Sequence, residues 1–343
     1  MASVGLLDFL SSNVVMLRKY ILDCLPKDHS VPEIDLLYKM MREYPSRPSK
    51  GLRPSLCMLV CEAFGGKNQE SIVSAAALEI FQNWILIHDD IEDQSEFRRG
   101  SPVLQKLYGI PLAINTGDAL HAKMWGLLTQ NYEIIGEKIC YLVMREFSRM
   151  IDETTEGQHL EVSWTENNKW DLTEDDYFPM VQKKTSWYTC VSPCRLGYLI
   201  ATKKPLAKNS FVQFGIDLGI AFQIRDDILN LTAGKKYGKE IGGDIVEGKR
   251  TLALINLIES ANANDGETVK KIMSKGKRKS SADVQRIVEL MQKYDSIDYA
   301  KKMAEEFSKS AVKQFGQIFG HLPDSKAKRN LQSLVEFMVS RDW

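Results

Sequence analysis

Apolar residues recur at i, i+3, i+4 and i+7 from one end of the chain to the other, whereas period-2 runs of β-branched residues are scarce. This pattern predicts an all-α protein. Helices are expected over about 5–24, 32–43, 53–64, 70–93, 112–130, 134–158, 174–189, 191–202, 207–231, 250–262, 282–293 and 297–318, roughly a dozen in all. Turn chemistry separates them: Pro26 with Asp28, the Pro45/Pro48 stretch, Gly65-Gly66, Arg99-Gly100-Ser101-Pro102, Gly234, and the glycines from Gly238 to Gly248. The densest basic run, Lys270 to Lys279, contains Gly276 and is followed by two serines, and it reads as a solvated loop. No internal repeat or low-complexity linker divides the chain, so the expectation is one domain over residues 1–343, a large helix bundle.

Composition narrows the function rather than the fold. The 343 residues are 44% hydrophobic, enough for a substantial core, and 45 basic residues balance 45 acidic ones. Nothing in that balance points to nucleic acid or a membrane surface, so any charge-based function is local. The six cysteines show no CxxC and no histidine cluster of zinc spacing, and they read as reduced, mostly buried thiols. The N-terminus lacks the basic and apolar regions of a secretory signal, and no segment approaches a membrane span. A soluble cytoplasmic enzyme is expected.

Two constellations carry chemistry. The first, Ile87-His88-Asp89-Asp90-Ile91-Glu92-Asp93, closes an apolar helical stretch and is followed by Arg98-Arg99-Gly100. On a helix Asp89 and Asp93 stand one turn apart on the same face, where both can reach one cluster of hard cations. The second, Phe222-Gln223-Ile224-Arg225-Asp226-Asp227-Ile228-Leu229-Asn230, repeats the arrangement with Asp226 and Asn230, and Asp244 follows in a glycine-rich basic loop. An acidic pair at a helix end is commonly a solvated terminus, but carboxylates there oppose the macrodipole, and cations would relieve that. Facing each other, two such ends would make a multi-magnesium site whose remaining ligands are diphosphate oxygens. Basic residues gather beside them: Lys50 with Arg53, Arg98 with Arg99, and Lys239 with Lys249 and Arg250. Such groups suit a second, metal-free diphosphate.

From about Lys50 to Arg250 the chain resembles the trans-isoprenyl diphosphate synthases of the geranylgeranyl and farnesyl type, with the motifs in family order. The resemblance implies an isoprenoid-synthase helix bundle around a deep central cavity. It implies that Asp89, Asp90, Asp93, Asp226, Asp227 and Asp244 hold about three magnesium ions. Arg98, Lys184, Thr185, Gln223, Lys239 and Lys249 would meet the allylic diphosphate, with Thr185 and Gln223 beside the developing cation. Lys50, Arg53, Gln82 and Arg99 would hold isopentenyl diphosphate. Two positions depart from the common pattern: Asn230 stands where many relatives have Asp, and Gln82 where many have His.

The implied reaction is ionisation of an allylic diphosphate, attack by the isopentenyl double bond, and proton loss to the released diphosphate. His88 could serve as a base, but a structural or polar-core role is the preferred reading. At about 100° per residue, Ile85 lies roughly 40° and Phe81 roughly 80° from the Asp89 direction, so both are expected to line the tail pocket. Trp84 occupies the family's length-determining position, although helix geometry turns it roughly 140° from Asp89. A bulky residue there implies a twenty-carbon product, with fifteen carbons as the alternative. Rival readings are a class I terpene cyclase, disfavoured by Asp226-Asp227 with Lys239 and Lys249, and a regulatory subunit, disfavoured by the nearly complete motifs. The family also implies a homodimer.

Overall fold

The computed structural model describes residues 4–232 and 242–340. Helices α1 (Val4–Cys24), α2 (Pro32–Ser46), α3 (Leu52–Ala63) and α4 (Asn68–Glu92) lead into a small hairpin, β1 (Phe97–Arg98) and β2 (Ser101–Pro102). There follow α5 (Leu104–Tyr108), α6 (Ile110–Leu128), α7 (Asn131–Ile135), α8 (Glu137–Glu166) and α9 (Glu174–Val181). A π-helical segment, Gln182–Val191, joins α9 to α10 (Ser192–Thr202), and α11 (Val212–Thr232) carries the second aspartate motif. The chain closes with α12 (Gly243–Glu247), α13 (Leu252–Ser260), α14 (Ala263–Met273), a 3₁₀ turn (Gly276–Arg278), α15 (Ser281–Lys293), α16 (Ser296–Phe319) and α17 (Lys326–Ser340).

The predicted all-α class holds, and most predicted helices lie within a few residues of their observed positions. Local chemistry explains several of the ends. Thr173 and Asp176 form a reciprocal cap at the start of α9, as Ser280 and Asp283 do for α15. Helix α2 runs on to Ser46 through a buried Pro45, whose missing N–H removes one helical hydrogen bond. Among the described residues, the hairpin strands β1 and β2, the helices α5, α7, α12, α14 and α17, and the 3₁₀ turn are not among the expected elements. The Lys270–Lys279 run is solvated at Lys270, Lys271, Lys277 and Arg278, as its charge suggests, but it is not a loop. It spans the end of α14 and the 3₁₀ turn, and Lys279 is buried, donating to the carbonyls of Val246 (3.2 Å) and Gly276 (3.0 Å).

The π-helical segment is the main departure from regular geometry. Its cause lies in the two helices packed against it, where Gly157 of α8 and Gly219 of α11 let their backbones close in. A Cβ at Gly157 would stand 2.1 Å from the Lys184 nitrogen, and one at Gly219 2.4 Å from Ser186 Oγ. Contiguous apolar clusters fill the space between the helices. Helix α4 is long and apolar enough to cross a membrane, but 67% of its most apolar stretch is buried inside the bundle, as befits a core helix. Five of the six thiols are buried and Cys24 is exposed.

Candidate active site

The C-terminal ends of α4 and α11 open on one cavity of about 830 Å³, roofed by α8, the π-helical segment and the loop before α13. Asp89 lies on its wall from the first motif, and Asp226, Asp227 and Asp244 from the second. Asp89 Oδ2 accepts from Arg98 Nη2 (3.2 Å), and its Oδ1 faces Lys184 Nζ (3.5 Å). Asp93 is set back from the wall but is joined to it by Lys249, whose Nζ stands 2.7 Å from Asp93, 2.8 Å from Glu247 and 3.9 Å from Asp244. Burial pushes the Asp93 carboxyl up to about 7, against the pull of Lys249. Burial works against the charge of Lys184, yet Glu161 and Asp89 outweigh it and hold the ammonium above the ordinary lysine value.

Asp90 does not share this role in the geometry. It is fully buried, off the cavity wall, and held by Arg98 Nε (2.8 Å) and the Tyr44 hydroxyl (2.5 Å). Helical rotation explains it: one residue after Asp89, its side chain turns by about 100° into the interior. Asp227 keeps a place on the wall and accepts from Gln223 Nε2 (2.7 Å) and the Tyr177 hydroxyl (3.1 Å). Burial, with Asp244 nearby, raises its carboxyl well above the usual range. Thr185 donates to Gln223 Oε1 (2.8 Å), so both residues assigned to the developing cation form one chain of hydrogen bonds on the wall. Asn230 is no wall residue. Its side-chain oxygen accepts from the Asp244 backbone N–H (3.1 Å), so it orients the loop instead of offering a ligand to the cavity. Lys239 lies outside the described residues.

The cavity is also lined by basic and amide side chains. Lys50, Arg53, Gln82 and Arg99 all line it. Arg53 donates to Thr189 Oγ1 (2.9 Å) and lies over the Tyr188 ring, 4.3 Å from its centroid. The Gln82 amide turns its oxygen to Arg53 Nη1 (2.9 Å) and its nitrogen to Glu79 (3.3 Å). Arg99 donates to Asn83 Oδ1 (3.3 Å), and burial lowers the pKa of its guanidinium. Below the first motif, Trp84 and Ile85 line the cavity, but Phe81 does not. Phe81 is fully buried behind the two wall rings, 5.4 Å from Trp84 and 5.7 Å from Tyr188, which corrects its expected place. Trp84 reaches the wall despite its helical angle because the cavity wraps around α4, and His121 stacks against it at 4.1 Å. His88 also lines the cavity, its Nε2 3.6 Å from Asp118 and without a hydrogen-bond partner among the described residues.

Sequence reasoning missed Gln158 and Glu161 of α8. Gln158 Nε2 bonds Asp89 (3.2 Å) and Glu92 (2.5 Å), and Glu161 pairs with Lys184. Their i,i+3 spacing next to Gly157 was the available signal. It also missed Tyr44 and Tyr177, for which local sequence holds no sign.

Among the described residues no three metal-ligating side chains converge on one point. The all-oxygen acid set nevertheless suits magnesium, which takes one or two carboxylates and completes its shell with water and substrate phosphate.

Comparison with known proteins agrees with this architecture. A family model described as polyprenyl synthetase matches residues 34–330. A geranylgeranyl diphosphate synthase of Sulfolobus acidocaldarius is 34% identical over 92% of this chain and 94% of its own. A geranylgeranyl pyrophosphate synthase of Geoglobus acetivorans is 33% identical over 89% and 91%. The crystal structure of geranylgeranyl pyrophosphate synthetase from Pyrococcus horikoshii superimposes with a TM-score of 0.86 at 31% identity, covering 98% of each chain. With its two aspartate-bearing helix ends meeting in one cavity, the chain belongs to the polyprenyl synthetase family and is a trans-isoprenyl diphosphate synthase.

Proposed function

We propose that this protein condenses isopentenyl diphosphate with allylic diphosphates, with magnesium, to give geranylgeranyl diphosphate. The observation that carries the reading is that one cavity is lined by acids from α4 and α11 together with Lys50, Arg53 and Arg99. Asp89, Asp93, Asp226, Asp227 and Asp244 are the proposed holders of about three magnesium ions, and Asp90 serves them by fixing Arg98. Bound magnesium would neutralise the departing diphosphate.

Arg98, Lys184 and Lys249 bind the allylic diphosphate and steady it as it leaves, joined by Lys239. Lys50, Arg53 and Arg99 bind isopentenyl diphosphate, with Gln82 aligning Arg53. Thr185 and Gln223 turn oxygen dipoles toward the developing allylic cation. The proton is lost to the released diphosphate. Trp84, backed by Phe81 and His121, is the proposed floor of the tail pocket, with Ile85 on its wall.

The described chain is proposed to act as a single catalytic unit in a homodimer. Exposed Ile110, Leu112 and Ile114 of α6, with Tyr141 of α8, support a second copy as their cover. Incubating the protein with magnesium, labelled isopentenyl diphosphate and dimethylallyl, geranyl or farnesyl diphosphate tests the reading. Geranylgeraniol after dephosphorylation is expected, and Trp84→Ala should lengthen the product. A farnesol endpoint would correct the pocket argument alone. Absence of condensation with every starter overturns the proposal, and conversion of an allylic diphosphate by itself would favour a cyclase.

A further inference from the structure

The hairpin that presents Arg98 and Arg99 cannot hold itself. Each strand is two residues long, with Phe97 opposite Pro102 and Arg98 opposite Ser101. Its turn places Arg99, which has a Cβ, at φ 53°, followed by Gly100 at φ 78°. A non-glycine residue in that region persists only where its surroundings impose it. Something outside the hairpin must therefore fix its direction.

That grip comes from the end of α2. Arg47, the first residue beyond the helix, is 5% exposed. Its Nη1 donates to the carbonyls of Arg98 (3.1 Å) and Ser101 (3.5 Å), and its Nη2 to the carbonyl of Pro102 (2.8 Å) and to Glu43 (3.1 Å). The guanidinium also lies over the Tyr44 ring, 4.4 Å from the centroid. Tyr44 completes the hold: its carbonyl accepts from Arg99 Nη1 (3.4 Å), and its hydroxyl donates to the Asp90 carboxylate that clasps Arg98. Three hairpin carbonyls on one planar fork is a task for arginine, since an ammonium offers no such fixed geometry.

We infer that Arg47 is a positioning residue, which from outside the cavity wall sets the direction in which Arg98 and Arg99 enter the two diphosphate subsites. The inference rests on the assignment of Arg98 and Arg99 to those subsites. A change at Arg47 should therefore weaken both substrates together, unlike a change at either arginine alone.

The test pairs a mechanical readout with a kinetic one, on the full-length protein. Arg47→Met keeps the stem over Tyr44 and removes the donors, and Arg47→Lys keeps the charge and removes the fork. In both, amide exchange over residues 97–103 should quicken by roughly tenfold while α8 keeps its protection. KM for isopentenyl and for allylic diphosphate should each rise roughly tenfold, with kcat changing less. Arg99→Gln should raise the isopentenyl KM alone, and adding Arg47→Met to it should raise that KM by much less than the product of the two effects. Unchanged exchange in the hairpin, or KM values that stay put while overall stability falls, would overturn the inference. Faster hairpin exchange in a protein that condenses no prenyl diphosphate would support the grip of Arg47 and count against the proposed function instead.

Discussion

The two aspartate motifs are built alike and finished differently. In each, the first aspartate faces the cavity and the second is held by a tyrosine hydroxyl, Tyr44 on Asp90 and Tyr177 on Asp227. The difference lies in the other partner. Asp90 receives Arg98, a cation, and drops out of the cavity wall, whereas the bonded partners of Asp227 among the described residues are Gln223 and Tyr177, both neutral. Asp90 is thus a structural anion with its counter-charge built in. Asp227 stands on the wall with Asp226 and Asp244, and there an arriving cation has most to gain. Identical residue pairs in sequence divide into a brace and a candidate ligand according to what the rest of the fold brings to each.

That comparison can be broken by substitution. Asp90→Asn leaves Arg98 buried with only Asp89 nearby, and denaturant unfolding should show a loss of about 3 kcal/mol, the low end for breaking a buried pair. Asp227→Asn in the same assay, without metal, should cost less than about 1 kcal/mol, because its bonded partners among the described residues, Gln223 and Tyr177, carry no charge to strand. Equal losses would erase the distinction. Next in size, Tyr44→Phe removes a hydrogen bond to a paired carboxylate and should cost about 2 kcal/mol, against about 1 kcal/mol for Tyr177→Phe. If Tyr177→Phe proves the costlier, the roles assigned to the two tyrosines are reversed.

The smallest effect concerns the clamp on the second motif. Lys279 is buried against the Val246 carbonyl, and burial holds its pKa down at about 8 from the ordinary 10.5. Between those values the unfolded chain binds more proton than the folded one, so the stability linked to this group rises with pH across that window. Below about pH 8 both states are protonated and the cost of burying the charge is constant. Comparing wild type with Lys279→Met from pH 7.5 to 10, the difference should move steadily in favour of wild type. A flat difference would mean that the ammonium is solvated in the folded state.

Much of this was legible in the chain. Helical periodicity located most of the bundle because buried helices leave a repeating apolar mark, and Asp89, Asp226 and Asp244 stood out because acids at helix ends need a reason to be there. What was not legible depends on partners far away in sequence. The π-helical turn that carries Lys184 and Thr185 is shaped by Gly157 and Gly219 on other helices. Phe81 was misplaced because helix angles describe the helix and not the cavity that wraps it. Among the basic residues of the Lys270–Lys279 run only Lys279 departs from the expected solvation, because the Val246 carbonyl it donates to lies far away in sequence. Asp90 and Asp227 could not be told apart until Arg98 folded back onto one of them.

The central claim is that this cavity holds a diphosphate through its aspartates by way of cations. Calorimetric titration with a non-reactive thio analogue of farnesyl diphosphate, with and without magnesium, tests it most directly. The account predicts tight binding only with magnesium, and its loss in Asp89→Ala and Asp226→Ala. Binding of equal strength in the absence of divalent metal, or in those two variants, would contradict it.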